Sequence, residues 1–209
     1  SIHDLFELTY GLAVAYTRDG IYDKALKTFH KAEMLKPDEI RVRLLSGITA
    51  VLDKQPVRAN DVLEPIANDE SNEPHFRFAA VRALAFAMMQ REQSSKAEDY
   101  WKELGKIAEH PGLEDARREW LYDLGFFYVD QNDFDQAIDY WKKLQDRYPD
   151  FPGIEELLDL AVDTITNVQE NAQENDQNDN TDAVTPGDPN PYEYINPRKQ
   201  EVIDWRKVQ

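Results

Sequence analysis

Apolar residues recur along this chain at intervals of three and four, in blocks separated by short clusters of Gly, Pro, Asn and Asp, which predicts consecutive amphipathic helices. The first helix is predicted over Asp4 to Thr17, with Leu5, Leu8, Leu12, Ala15 and Tyr16 at helical spacing before Arg18-Asp19-Gly20 turns the chain. The second runs from Tyr22 to Leu35 and ends before Pro37, and Asp38 is placed to cap the third, which carries Ile40, Leu44, Leu45, Ile48 and Leu52. After Lys54-Gln55-Pro56 a shorter helix carries Val62, Leu63 and Ile66 and leads into the polar loop from Asn68 to Pro74. Phe76 to Gln90 and Ser94 to Ala108 form the next pair, and Pro111-Gly112 breaks the chain before Ala116 to Val129 and Phe134 to Arg147. Ile154, Leu157, Leu158, Ala161, Val162, Ile165 and Val168 make one more helix, expected to cap the open end of the stack.

These helices repeat as pairs. Tyr22-Asp23-Lys24-Ala25, followed by Phe29, Ala32 and Pro37, returns as Phe134-Asp135-Gln136-Ala137, followed by Trp141, Leu144 and Pro149. Two weaker copies centre on Ala59, with Leu63 and Ile66, and on Ala97, with Trp101 and Leu104. The anchoring alanines are thus 34, 38 and 40 residues apart (59−25, 97−59, 137−97). A period in that range signals stacked helix pairs, in which each unit buries its apolar face only against its neighbours.

The unit resembles the tetratricopeptide repeat. Trp120, Leu121, Leu124, Gly125 and Tyr128 match that family's first helix, and Asp133-Phe134-Asp135-Gln136-Ala137, Tyr140-Trp141, Leu144 and Pro149 match its turn and second helix. The first copy matches through Leu12, Ala13, Tyr16, Gly20, Tyr22, Ala25, Phe29, Ala32 and Pro37. The second departs at Ser46, and the third has Ala85 for the glycine and Met88 for the tyrosine. The resemblance implies an all-α, right-handed solenoid over residues 1–170, with repeats at about 6–39, 40–74, 75–112 and 116–150 and a capping helix at 153–170. Small residues at Ala13, Gly47, Ala85 and Gly125 let paired helices approach, and Phe29, Trp101 and Trp141 fill the space towards the next pair.

In this family the first helix of each pair lines the concave side. Carried over, that places Tyr10 and Val14, then Leu44, Ile48 and Val51, then Arg82, Phe86 and Met89, and finally Tyr122, Phe126 and Val129 on an apolar inner face, the expected site for a partner segment. The family's chaperone-binding members clamp a terminal carboxylate there with Asn and Lys. None of these residues is either type, so that activity is not expected.

Charge narrows the partner. A net charge of −17 and a pI near 4.6 disfavour nucleic acid and anionic lipid and favour a partner with basic and aromatic residues. No stretch is long and apolar enough to span a membrane. Without cysteine there is no disulfide framework or thiolate chemistry. The four histidines lie far apart, and Asp176 to Asp182 lacks the glycine and the bidentate glutamate of a calcium loop. No cofactor, metal or catalytic set is expected.

Residues 171–191 hold no aromatic and no positive charge and read as an acidic linker. In 192–209 the composition reverses: Tyr192, Tyr194, Ile195, Val202 and Trp205 stand among Arg198, Lys199, Arg206 and Lys207, a segment suited to docking back on the acidic body. The combined expectation is a non-enzymatic scaffold or assembly factor holding a peptide in an apolar groove, from a partner or from its own tail. The alternative is an accessory or sensing domain that binds a small apolar ligand. The run Trp141, Leu144, Tyr148-Pro149 and Pro152 is similar to repeats of bacterial cell-envelope assembly proteins, which favours envelope or periplasm over cytoplasm.

Overall fold

The computed structural model describes residues 1–177, with side chains described as far as residue 166. Among these residues there are nine helices and no strand: α1 Ile2–Arg18, α2 Tyr22–Leu35, α3 Ile40–Leu52, α4 Pro56–Asn68, α5 Pro74–Gln90, α6 Ser94–Ala108, α7 Glu114–Asp130, α8 Phe134–Arg147 and α9 Ile154–Gln177. The expected pairs are α1 with α2, α3 with α4, α5 with α6 and α7 with α8.

Each pair is joined by the same backbone turn. Gly20, Lys54, Glu92 and Asn132 take left-handed φ values of 73°, 56°, 56° and 59°. The following amides, on Ile21, Gln55, Gln93 and Asp133, donate back to the carbonyls of Tyr16, Ala50, Met88 and Tyr128 at 2.9, 2.8, 3.0 and 2.9 Å. This is the Schellman closure of a helix end, which normally selects glycine. Three of the four copies form it without one, so the turn survives where the sequence signature fades.

Caps follow the local sequence with one correction. Ser1 and Asp4 form a capping box on α1, and Asp133 accepts from the Gln136 amide at 3.2 Å at the start of α8. Pro56 and Pro74 occupy the first turns of α4 and α5, so α5 begins ahead of the expected Phe76. Asp38 does not cap α3. Glu39 holds that position, and its carboxylate instead accepts two bonds from the Arg41 guanidinium, at 2.9 and 3.1 Å. The polar loop after α4 closes on itself: Asp69 accepts from Ser71, while Asn72 and Arg77 donate to the carbonyls of Ile66 and Ala67.

The described residues divide into two compact units, one of residues 1–116 and one that begins at Arg117. The sequence reading has one domain over 1–170.

In the first unit, α3 packs on α2, α4 and α5, and α5 packs on α4 and α6. Its core includes Phe6, Phe29, Leu44, Ile48, Leu63, Leu84 and Trp101, each at most 1% exposed. A Cβ on Gly47 would lie 2.5 Å from Leu63, so glycine is what admits α4 against α3. A buried hydroxyl pair, Thr17 and Thr49 at 3.0 Å, links α1 to α3, and Gln90 donates to the Val51 carbonyl at 2.8 Å to link α5 to α3.

The second unit has its own core, built on Leu121, Phe126, Val129, Trp141, Leu144 and Tyr148, with Ile154, Leu158 and Ala161 of α9 completing it. α9 lies on α8, as a capping helix should. It continues to Gln177, beyond the expected boundary at 170 and into the stretch read as linker. Asn171 to Gln177 contains no Gly or Pro to stop it.

Candidate partner-binding face

The residues expected on the inner face do not form a bare trough. Tyr10, Val14, Leu44, Ile48, Val51, Arg82, Phe126 and Val129 are all buried. Only Phe86, Met89 and Tyr122 keep partial exposure. Two of these side chains reach the second helices and pack there. Phe86 meets Trp101 edge-on at 5.3 Å, and Phe126 meets Trp141 at 5.0 Å.

At the start of the first unit, Tyr10 stacks on Phe6 at 5.9 Å and meets Phe29 edge-on at 6.3 Å, with the Arg41 guanidinium 5.3 Å from its ring. Burial pushes the Tyr10 hydroxyl pKa up, against the opposing pull of Arg41. That hydroxyl makes no hydrogen bond among the described residues. On α5, Arg82 is buried with its guanidinium 5.9 Å from the Phe86 ring, and Met89 follows on the same face. The first unit therefore presents two part-exposed apolar side chains, Phe86 and Met89, beside a buried cation.

In the second unit Tyr122 packs against Phe126 at 4.9 Å and Phe151 at 5.4 Å. Phe151 was not singled out in the sequence. It follows the Pro149 helix stop and reads there as part of a turn, and only folding brings it under Tyr122. The tail residues Tyr192, Tyr194, Ile195, Val202 and Trp205 lie outside the described residues.

Other polar groups are set by their immediate neighbours. Hydrogen bonds from the N-terminus and Ser1 lower the Asp4 pKa, Ser71 lowers that of Asp69, and Arg41 lowers that of Glu39. Tyr100 is pushed up to about 12, by burial first and then by Glu64. Among the described residues no group of three or more His, Cys, Asp or Glu could hold a metal, and no helix is long and apolar enough to cross a membrane.

Comparison with known proteins agrees with this architecture. Residues 121–150 match the tetratricopeptide repeat family model. A solved structure of MamA from Desulfovibrio magneticus RS-1 is similar at 21% identity, over 68% of this chain and 74% of that one, with a TM-score of 0.54. Another solved structure of MamA is similar at 18% identity, over 87% of this chain and 98% of that one, with a TM-score of 0.53. Among curated proteins, none matches the chain.

Proposed function

Since this chain is built of helix pairs of the tetratricopeptide type, we propose that it is a non-enzymatic interaction scaffold whose first-helix face takes a segment of a partner protein. The observation that carries this reading is the pair Phe86 and Met89 on α5, part-exposed above the buried Arg82. Apolar anchors that complete a largely buried surface are the usual core of a peptide site. Tyr10 supports it from the same unit. A buried hydroxyl without a partner is destabilising by about 1–3 kcal/mol, and a segment bringing an acceptor would relieve that. In the second unit the part-exposed side chain available as an anchor is Tyr122.

The segment would be a short peptide with aromatic residues to cover Phe86 and Met89 and basic residues to suit a chain of net charge −17. Residues 192–209 have that composition, so the tail is a competitor for the same face.

Selection from a random displayed peptide library tests the reading. Enriched peptides should be rich in aromatic and basic residues and should lose binding about tenfold or more to a chain carrying Phe86→Asp and Met89→Asp. A chain ending at Gln177 should bind them at least as tightly as the full chain. Peptides that bind the double variant as well as the wild type would refute the assignment.

A further inference from the structure

The two units make the same aromatic contact and cover it differently. Their copies are offset by 40 residues, as the turn residues Glu92 and Asn132 (132−92) and the tryptophans Trp101 and Trp141 (141−101) both give. In that register Phe86 matches Phe126, and Met89 matches Val129. Each phenylalanine meets its second-helix tryptophan edge-on, at 5.3 and 5.0 Å. Yet Phe126 and Val129 are 6% and 3% exposed, whereas Phe86 and Met89 are part-exposed.

The second unit brings further rings of its own to this place. Tyr122 stands where the first unit has Arg82, and its ring lies 4.9 Å from Phe126 and 5.4 Å from Phe151. Phe151 belongs to no helix. It closes a turn over Tyr148-Pro149-Asp150-Phe151, in which its amide donates to the Tyr148 carbonyl at 2.9 Å and Pro149 takes the second position, where its fixed φ suits the turn. A proline turn thus lays a phenyl ring against Tyr122, which in turn packs on Phe126. The loop after α6 has His110-Pro111-Gly112 where this loop has Asp150-Phe151-Pro152, so it supplies no Phe, Tyr or Trp to the matching position.

Phe151 therefore exhibits, within the chain itself, the chemistry that completes such a face. We propose, resting on the assignment of the Phe86 and Met89 face to a partner segment, that its guest is an aromatic residue two positions after a proline, Pro-Xaa-Phe or Pro-Xaa-Tyr, seated as Phe151 is seated on Tyr122. Arg82, in the place of Tyr122, lies 5.9 Å from the Phe86 ring. A phenyl face beside a guanidinium favours an aromatic guest over an aliphatic one. A turn fixed by proline also loses little freedom on binding, which favours this segment over a flexible one carrying the same ring.

The probe is a synthetic peptide of residues 147–153, Arg-Tyr-Pro-Asp-Phe-Pro-Gly, titrated into the full chain isotope-labelled at its methionine methyl groups. The three methionines separate the outcomes: Met89 lies on the face, Met88 is buried, and Met34 is exposed on α2. The Met89 methyl resonance should shift saturably while that of Met34 stays in place. Phe151→Ala in the peptide should weaken binding about tenfold or more, and Pro149→Ala in the peptide about two- to fivefold.

A Met89 shift unchanged by Phe151→Ala in the peptide would overturn the proposal, as would a shift confined to Met34. Library peptides that bind through Phe86 and Met89 without a proline two positions before an aromatic residue would overturn the guest assignment and leave the partner site standing. If neither those peptides nor the probe moves the Met89 methyl, both fall.

Discussion

Trp141 occupies the space that a Cβ on Gly125 would need. The indole lies flush against the α7 backbone and donates its N–H to the Tyr122 carbonyl at 3.1 Å, one turn earlier on the same helix. A single missing methyl group thus lets the largest side chain of the second unit be fully buried with its one polar atom satisfied.

Gly125→Ala should therefore destabilise the second unit by about 2–3 kcal/mol, since overpacking outweighs the gain of about 1 kcal/mol in helix propensity. Gly11 has nothing within 4 Å of its Cβ position, so Gly11→Ala should stabilise by about 0.5–1 kcal/mol. Urea unfolding of both variants reads the contrast, and two shifts of the same sign would contradict it.

The non-glycine turn residues make the opposite case. Lys54 and Glu92 sit at φ 56°, where an L side chain is strained by about 1–2 kcal/mol. Glycine relieves that strain but gives back part of it to the unfolded chain's entropy. Lys54→Gly and Glu92→Gly should each raise stability by about 0.5–1 kcal/mol, and Gly20→Ala should lower it by about 1 kcal/mol. Denaturant midpoints for the three variants provide the check.

Thr17 and Thr49 test the asymmetry of buried polar groups. Each hydroxyl also has its own helix carbonyl as an acceptor, Ala13 for Thr17 and Leu45 for Thr49, so losing one member leaves the other satisfied. Thr49→Val should change stability by less than about 1 kcal/mol, and the double valine variant should be near neutral. A double-mutant cycle giving a coupling above about 2 kcal/mol would show that the pair matters more than its geometry implies.

Alkaline unfolding should report Tyr100. Its hydroxyl donates to Glu64 at 3.2 Å, and its pKa is pushed up to about 12 from the ordinary 10.0. Between those values the unfolded chain has lost a proton that the folded chain keeps, so stability falls as pH rises through this window. Tyr100→Phe should make the fall shallower. It should not abolish it, because Tyr10 is raised by burial and contributes with the same sign. Urea midpoints measured across the window for both proteins decide the matter.

Helix positions and pairing were legible because three- and four-residue periodicity and the Ala25 and Ala137 anchors report burial directly. Which of two apolar faces is covered was not. Leu5, Leu8 and Leu12 have the spacing of a core row, yet Phe6 and Tyr10 take the interior, because only one side of α1 meets α2 and α3. The side chains assigned to the inner face were expected to be exposed, and most of them are buried. Phe86 and Phe126 are long enough to reach the second-helix tryptophans, which helical geometry alone does not reveal. The middle copies looked degenerate because Ser46, Ala85 and Met88 depart from the repeat pattern, although the turn backbone at Lys54 and Glu92 is unchanged.

That constancy has an evolutionary reading. Gly20, Lys54, Glu92 and Asn132 enter and leave their turns along the same path whatever side chain they carry. A recombination event that joined one such residue to another would splice two identical local geometries, removing or adding one whole pair without disturbing either flanking helix. The gene can gain or lose length at these points in units of a folded module, and drift between copies need not close that route.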